Sequence, residues 1–250
     1  LYHDFIPLVE KSGIPWTFLV GNHNIFYRDQ NKVHNLTILK HRPDLFHIVE
    51  EFETVQWGGQ RVDLCAWINK NNSTDILGKL RGSKSKYLFG HFEPEGLPYY
   101  KGVMAESGLS LDLFGHYDNV FSGHYHTVSS HKNFLMCGSP YHLTWADQPD
   151  GTDRGFFILD TDAEEVEMVN NEDGDTLFAV VQYEPEVAYN KPAGFERLRA
   201  QIEGKIVKVL VNERGTPAQF KGFKEALSKI DSIDYNVIDN SIVEVEKVEI

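Results

Sequence analysis

The chain has 250 residues, of which 41% are hydrophobic and 12% aromatic, and its formal net charge is −13. This composition excludes a disordered chain, and the acidic balance argues against a protein that binds nucleic acid through a generally basic surface. No apolar run approaches the ~20 residues that span a bilayer, and LYHDFIPLVE at the start lacks the features of a signal peptide. Two cysteines, Cys65 and Cys137, predict free thiols in a reducing cytoplasm.

The first two thirds of the chain mix helical and extended patterns. An apolar stripe predicts a helix over residues 2–12, and an apolar run predicts a strand over residues 16–20. A short helix is predicted over residues 75–81, with Ser73 or Thr74 as its N-cap. Further strands are predicted at residues 46–50, 53–57, 61–67, 86–90, 119–122, 133–137 and 155–160. This order predicts an α/β fold, with a layered domain over residues 1–170.

The last third predicts a second, smaller domain. The polar, acidic segment at residues 169–176 is typical of a linker, and an α+β domain is predicted over residues 176–250. Its helix is expected over residues 216–230, with Thr216 as the N-cap and Pro217 in the first turn. Its strands are predicted at residues 176–183, 205–211 and 234–238, and residues 241–250 predict a final strand or an interaction segment.

Three of the predicted strands end in a glycine that is followed by polar side chains. The segments read GNHN at residues 21–24, GH at residues 90–91 and GHYH at residues 123–126. In open α/β sheets, functional groups gather beyond the carboxyl ends of the strands. A lone Gly-His is more often structural, and Gly-Asn is typical of a turn. Three such ends after apolar strands nevertheless favour one shared site.

The side chains in these segments are of metal-binding types. Imidazole nitrogens bind zinc, iron, manganese or nickel, and amide oxygens suit harder ions. All of these donors are neutral, so two divalent ions would leave a charge of about +4 without a counter-charge. We therefore expect at least two aspartates to complete such a site.

The same three segments resemble the third, fourth and fifth motifs of calcineurin-like binuclear metallophosphoesterases. FGHFEPEGLPYYKG, FSGHYHTVS, GSPYHLTWAD and DRGFFILDTD are similar to the nuclease subunit of SbcC–SbcD-type recombination complexes, in its tailed-phage form. The resemblance implies an N-terminally incomplete metallophosphoesterase β-sandwich, flanked by helices, over residues 1–170, and a capping domain over residues 176–250. It also implies endo- and exonuclease hydrolysis of DNA with two divalent metal ions, of which manganese is the expected one.

Carried over residue by residue, the resemblance assigns roles to five side chains. Asn22, His91 and His124 would hold one metal ion, and His126 would bind the other. His23 would be the catalytic histidine that protonates or stabilises the leaving oxygen, which suits a side chain type that exchanges protons near neutral pH.

The sequence departs from the family pattern in two places. The acid that usually follows Gly-Asn-His is Asn24 here, which keeps an acceptor and loses the charge. The first two family motifs, Asp-x-His and Gly-Asp-x-x-Asp, which supply the remaining ligands, do not occur in the sequence. We expect these motifs upstream of Leu1 in a longer chain, and little nuclease activity from the 250 residues alone.

The candidate DNA contacts are Asn24, Tyr27, Arg28, Tyr99 and Lys101, for which a role in loop or aromatic packing is the alternative. The resemblance implies DNA and an SbcC-like ATPase subunit as partners, a homodimer as a further option, no membrane, and the cytoplasm, that of the host for a phage-encoded protein. Two alternatives stay open: another binuclear phosphoesterase acting on a small phosphodiester or a phosphoprotein, and an incomplete copy that serves as a scaffold.

Overall fold

The computed structural model describes residues 4–147, 154–171 and 177–242. The start of the predicted first helix, residues 172–176 of the predicted linker and residues 243–250 of the tail lie outside this part of the chain. The fold is mixed α/β, as predicted. The chain divides into two compact units, one formed by Leu1–Pro140 and Gly155–Asn170, the other by Tyr141–Arg154 and Asn171–Ile250. No helix among the described residues is long and apolar enough to cross a membrane.

The described part of the larger unit contains the α-helices α1 (Phe5–Ser12) and α2 (Ser73–Gly82). Its strands are β1 (Trp16–Leu19), β2 (Phe46–Val49), β3 (Phe52–Trp57), β4 (Gln60–Cys65), β5 (Tyr87–His91), β6 (Pro98–Tyr100), β7 (Val103–Met104), β8 (Asn119–Gly123), β9 (Ser129–His131), β10 (Phe134–Met136), β11 (Gly155–Asp160) and β12 (Glu165–Asn170). Two 3-10 helices cover Asn35–His41 and Leu111–Phe114.

A six-stranded sheet with the order β3-β4-β5-β8-β10-β9 forms the centre of this unit. The strands β4, β5, β8 and β10 run parallel, so their carboxyl ends lie at one edge. Side chains alternate across the sheet because successive residues of a strand point to opposite faces. On β4, Val62 and Leu64 belong to the apolar cluster on one face of the sheet. Cys65 belongs to the apolar cluster on the other face, where it joins Ile76 and Leu80 of α2.

A fully buried carboxylate stabilises the opposite edge of the sheet, at the amino ends of β5 and β8. Asp63 on β4 accepts hydrogen bonds from the hydroxyls of Thr54, Ser83, Ser85 and Tyr117. Four donors satisfy the oxygens of a group that would otherwise be costly to bury. The hydrogen bonds join β3, β4 and the segments that precede β5 and β8.

The remaining strands of the larger unit form two-stranded sheets. The strands β1 and β2 pair in parallel, and α1 covers them through Ile6 and Val9, which pack with Phe46. The helix ends at Gly13, whose φ of 65° is the left-handed conformation that glycine adopts readily. The pairs β6–β7 and β11–β12 are antiparallel hairpins.

The smaller unit is built on a three-stranded parallel sheet with the order β13-β14-β15. Its elements are β13 (Phe178–Gln182), α3 (Pro192–Ile202), β14 (Ile206–Val211), α4 (Pro217–Leu227), β15 (Asp234–Asp239) and a 3-10 helix at Asn240–Ile242. Val207, Val209 and Val211 alternate with less buried neighbours along β14 and form the core with both helices. The predicted cap of α4 is confirmed: Thr216 and Gln219 form a capping box, and Pro217 follows.

One expectation about helices was wrong, and one helix was missed. Ser73 and Thr74 do not cap α2, because the helix already includes them and Asn72 occupies the N-cap position. The helix α3 was not expected at all. Its buried residues are Gly194, Leu198 and Ile202. Because glycine has no apolar side chain, only two of these three residues contribute to an apolar pattern in the sequence. Glycine is needed there because a Cβ would lie 2.4 Å from the carbonyl oxygen of Ala188.

Candidate metal centre

Three of the sequence-predicted side chains meet at the carboxyl ends of β5 and β8. His91 is the last residue of β5, and it pairs with Gly123 at the end of β8. The Nε2 atom of His91 lies 2.9 Å from Oδ1 of Asn22, which follows β1. The ring centroids of His91 and His124 are 5.1 Å apart. Asn22, His91 and His124 therefore lie together, although 102 positions of sequence separate the first from the last.

The glycines before these residues make room for one ring. A Cβ on Gly21 would lie 2.9 to 3.1 Å from atoms of the His91 ring, and a Cβ on Gly123 would lie 3.1 Å from its Nδ1. Contacts that short force a neighbour to move. The two glycines thus permit a close approach, one of the two roles that a glycine at a strand end can have.

The residue with the unusual backbone at this edge is His124 rather than Gly123. Its φ is 103°, in the left-handed region, so the chain leaves the direction of β8 immediately after Gly123. Ser122 holds the two strand ends together, since its hydroxyl accepts from the Phe92 N–H and donates to the Gly123 carbonyl. A strained conformation such as that of His124 costs on the order of 1–3 kcal/mol and is common at functional sites.

Both histidines in the cluster favour the neutral form. Burial, together with the neighbouring His124 and His23, lowers the pKa of His91 from its usual value to about 3. Burial also lowers the pKa of His124, although Glu93 acts in the opposite direction. A neutral imidazole keeps the lone pair that a metal ion needs.

The 2.9 Å contact between Asn22 and His91 is a hydrogen-bond distance, and it is also the spacing of two adjacent ligands of a metal ion. Two ligands at right angles on an ion with bonds of about 2.1 Å lie about 3 Å apart, close to the separation of the Asn22 and His91 donor atoms. However, within the described residues no group of three or more histidine, cysteine, aspartate or glutamate side chains is arranged to hold a metal ion. The carboxylates that the sequence led us to expect are therefore not gathered here by the described residues.

The other two predicted histidines lie in a cavity beside this cluster. The cavity has a volume of about 680 Å³, and its wall includes His23, His124 and His126. The backbone carbonyl of His126 accepts a hydrogen bond from the Ser139 N–H. The arrangement brings the predicted proton donor and the predicted ligand of a second ion to the same space as His124.

The residues proposed for DNA contact occupy different environments. Asn24 shapes the turn, since its Oδ1 accepts from the Gly21 N–H and its Nδ2 donates to Asn35. Tyr27 is 49% exposed and packs against the more exposed Phe26. Arg28 and Lys101 are exposed, and Tyr99 is half-buried in the cavity wall.

Buried asparagine side chains fasten the loop that carries Asn22 and His23. Asn31 is fully buried and donates to the carbonyls of Glu50 and Trp67. Its own Oδ1 accepts from Asn69. These three hydrogen bonds join the loop to the chain that follows β2 and β4.

Two residues near the site were not singled out from the sequence. Trp67 follows β4, and its ring lies 5.9 Å from that of His91 and 5.1 Å from that of His124. Its place at the end of a predicted strand was a usable signal. Glu93 is a carboxylate in the wall of the cavity, and its position two residues after His91 puts it on the same side of an extended chain.

The chain is similar to Exonuclease subunit 1 of Enterobacteria phage T4, with 32% identity over 168 residues. The match covers 67% of this chain and 49% of that protein, so the chain spans about half the length of the curated relative it matches. No protein-family model matches the chain. The similarity supports a distant relationship between this chain and a phage exonuclease subunit.

Proposed function

We propose that this chain is part of a DNA recombination or repair nuclease that hydrolyses phosphodiester bonds with two divalent metal ions, for which manganese is the expected metal. The observation that carries the proposal is the convergence of Asn22, His91 and His124, with donor atoms 2.9 Å apart and imidazole rings 5.1 Å apart. The similarity to Exonuclease subunit 1 supports the class of reaction.

In this proposal each side chain has one task. Asn22, His91 and His124 hold one ion, and His126 contributes to the other. When bound, such ions lower the pKa of a water molecule and stabilise charge on the attacking and leaving oxygens. His23 gives a proton to the leaving sugar oxygen, which is a poor leaving group without one.

The proposed partners are DNA and an SbcC-like ATPase subunit, with a homodimer as a further option. The word subunit in the name of the relative supports an assembly of more than one chain. Co-purification of this chain with a co-expressed SbcC-like ATPase subunit would test the partnership. Two chains that elute separately at micromolar concentration would contradict it.

The test of the activity is hydrolysis by the purified chain with manganese. Plasmid and oligonucleotide DNA are compared with a nitrophenyl phosphodiester, so that a DNA nuclease is distinguished from a phosphoesterase for small substrates. We expect weak hydrolysis that is specific to DNA and is lost in His91→Ala. His131→Ala removes an exposed histidine of β9 and is the matched control. DNA cleavage that persists in His91→Ala would contradict the proposed centre.

A scaffold without activity is the second candidate, and one observation favours it. The described residues contain no group of three or more histidine, cysteine, aspartate or glutamate side chains that could hold a metal ion. Fusing this chain to an upstream segment that carries Asp-x-His and Gly-Asp-x-x-Asp separates the two candidates. Hydrolysis of DNA that is stronger in the fused chain supports the nuclease, and inactivity of both chains supports the scaffold.

A further inference from the structure

The cavity beside the candidate metal centre has two chemically different sides. One side carries His23, His124 and His126. The other side is formed by the hairpin of β6 and β7 and the residues after it, including Tyr100, Met104 and Glu106. The volume of about 680 Å³ lies within the range of small-molecule sites, so the cavity is large enough for a nucleotide.

A continuous row of aromatic rings connects the two sides. The rings of His91 and His124 are followed by Tyr125 at 5.2 Å from His124. Tyr99 is 5.5 Å from Tyr125, and Tyr100 is 4.6 Å from Tyr99. The middle of the row is fixed, because the Tyr125 hydroxyl donates to the Pro94 carbonyl. A ligand phosphate at His124 would therefore have its attached group directed along a rigid aromatic wall.

The far end of this row offers apolar surface to a ligand. Tyr100 is 38% exposed, Val103 40% and Met104 50%, and all three line the cavity. Flat apolar and aromatic surface of this kind stacks with nucleobases, which all have a π-face. A base inside a duplex is already stacked on both sides, so only an unpaired base has a free face that can stack on this surface.

The charges on this side of the cavity select which part of a nucleotide lies there. Glu106, which follows β7, lines the cavity on the hairpin side, and a carboxylate repels a phosphate. Carboxylates instead accept hydrogen bonds from the exocyclic amino groups of bases. Thymine has no such group, whereas adenine, cytosine and guanine do.

We infer that the hairpin side of the cavity binds an unpaired nucleobase, with preference for a base that carries an exocyclic amino group over thymine. The inference rests on the proposed function, since it places the phosphodiester of the same nucleotide at the histidine side. It extends that function by naming the substrate form: a single strand or a frayed end, with the base next to the scissile bond read by Tyr100 and Glu106.

Binding without hydrolysis is the direct test. Fluorescence anisotropy in the presence of EDTA measures the affinity of the chain for single-stranded oligonucleotides of equal length that contain adenine, thymine or abasic residues. We expect the adenine strand to bind at least about fivefold more tightly than the abasic strand, which corresponds to the lower end of base–aromatic stacking. A paired duplex with the same sequence should gain nothing from its bases.

Four variants locate the effect. Tyr100→Ala should bring the adenine-to-abasic ratio close to one, and Tyr100→Phe should retain it because the ring remains. Glu106→Gln should lower the preference for adenine over thymine. Tyr235→Ala removes a tyrosine of β15 that is similarly exposed, at 43%, and serves as the control for loss of a surface ring. Circular dichroism establishes that each variant is folded.

The outcomes separate this inference from the proposed function. Equal affinity of the wild-type chain for base-bearing and abasic strands, or a ratio that survives in folded Tyr100→Ala, overturns the inference even where DNA is hydrolysed. A ratio that depends on Tyr100, in a protein that hydrolyses no DNA even when the upstream motifs are added, supports the base site and overturns the nuclease proposal.

Discussion

Both units of the chain contain parallel strands whose carboxyl ends lie at one edge, but only one of the two edges carries unusual chemistry. In the smaller unit, the edge formed by β14 and β15 ends in Val211 and in Asp239, which pairs with Arg214 at 2.8 Å. In the larger unit, β5 ends in His91, and the left-handed His124 directly follows β8. A parallel sheet thus provides a place for a site, and the residues beyond the strands decide whether one exists.

The difference has a consequence for stability. The valines of β14 are regular, buried and fully compatible with a strand. The histidine edge, in contrast, combines a strained backbone, two close glycine contacts and imidazoles whose pKa values are lowered by burial. We therefore expect the loss of a valine side chain from β14 to act on stability and the loss of a histidine side chain from the edge of β5 and β8 to act mainly on function.

The largest expected effect comes from His124→Gly. Under the proposed function, the loss of a metal ligand lowers hydrolysis by at least about a hundredfold. The free energy of unfolding should change by less than about 1 kcal/mol, because glycine adopts a φ of 103° without strain and this offsets the lost ring contacts.

The control for His124→Gly is Lys132→Gly, another left-handed residue, with a φ of 53°, in the turn between β9 and β10. It should keep full hydrolysis. Chemical denaturation and a DNA cleavage assay measure both quantities. Wild-type activity in His124→Gly would contradict a functional role for the edge formed by β5 and β8.

Gly90→Ala should destabilise the larger unit by about 3 kcal/mol. The added Cβ would lie 2.1 Å from the ring of Phe92, which is fully buried, and overpacking of this kind forces the core to shift. Gly78→Ala is the matched control, because nothing lies within 4 Å of a Cβ at that position in α2. Alanine there should stabilise the protein by about 0.5–1 kcal/mol, and urea denaturation would detect opposite signs for the two changes.

Val209→Ala should destabilise the smaller unit by about 2 kcal/mol, because Val209 is fully buried in the core between β14 and the helices. Val180→Ala on β13 removes the same atoms from a side chain that is 46% exposed, and we expect a change within about 0.5 kcal/mol. Thermal unfolding followed by circular dichroism compares the two. Similar losses in both variants would contradict the assignment of the core to this face.

The last prediction is a pH dependence of the histidine edge. The pKa of His91 is about 3 in the folded protein and ordinarily 6.5, so between these values the unfolded chain binds a proton that the folded chain does not. The free energy of unfolding should be unaffected by this group above pH 6.5 and should fall as the pH drops below it, by at most about 1.4 kcal/mol per pH unit.

Metal-free protein in EDTA is required for the pH measurement. His91→Gln should reduce the slope of the free energy of unfolding against pH between pH 6 and pH 4. This interval covers about two units below the ordinary histidine pKa. His131→Gln is the control for the loss of an exposed histidine. An identical slope in wild type and His91→Gln would mean that burial does not affect this side chain as described.

The strands were predictable because their patterns are local. Alternation in KIVKVLV and the apolar runs before three glycines identify β14, β1, β5 and β8 to within a residue or two. The spacing of glycine and polar residues also identified which side chains to compare. The sequence does not show which residues contact each other in the fold. The approach of Trp67 to two histidines depends on the order of the strands in the sheet. Asn31 looks like any polar loop residue until its burial is known.

Asn31 also affects how the site would respond to a ligand. Its hydrogen bonds to the carbonyls of Glu50 and Trp67 order the loop with Asn22 and His23 when the chain folds, before any ligand arrives. Immobilising the backbone of a residue costs about 1–2 kcal/mol in free energy because conformational entropy is lost. Here that loss occurs when the chain folds, so it does not weaken the binding of a ligand. The loop therefore behaves as a fixed template, and ligands that differ in size should bind with similar entropies instead of each remodelling it.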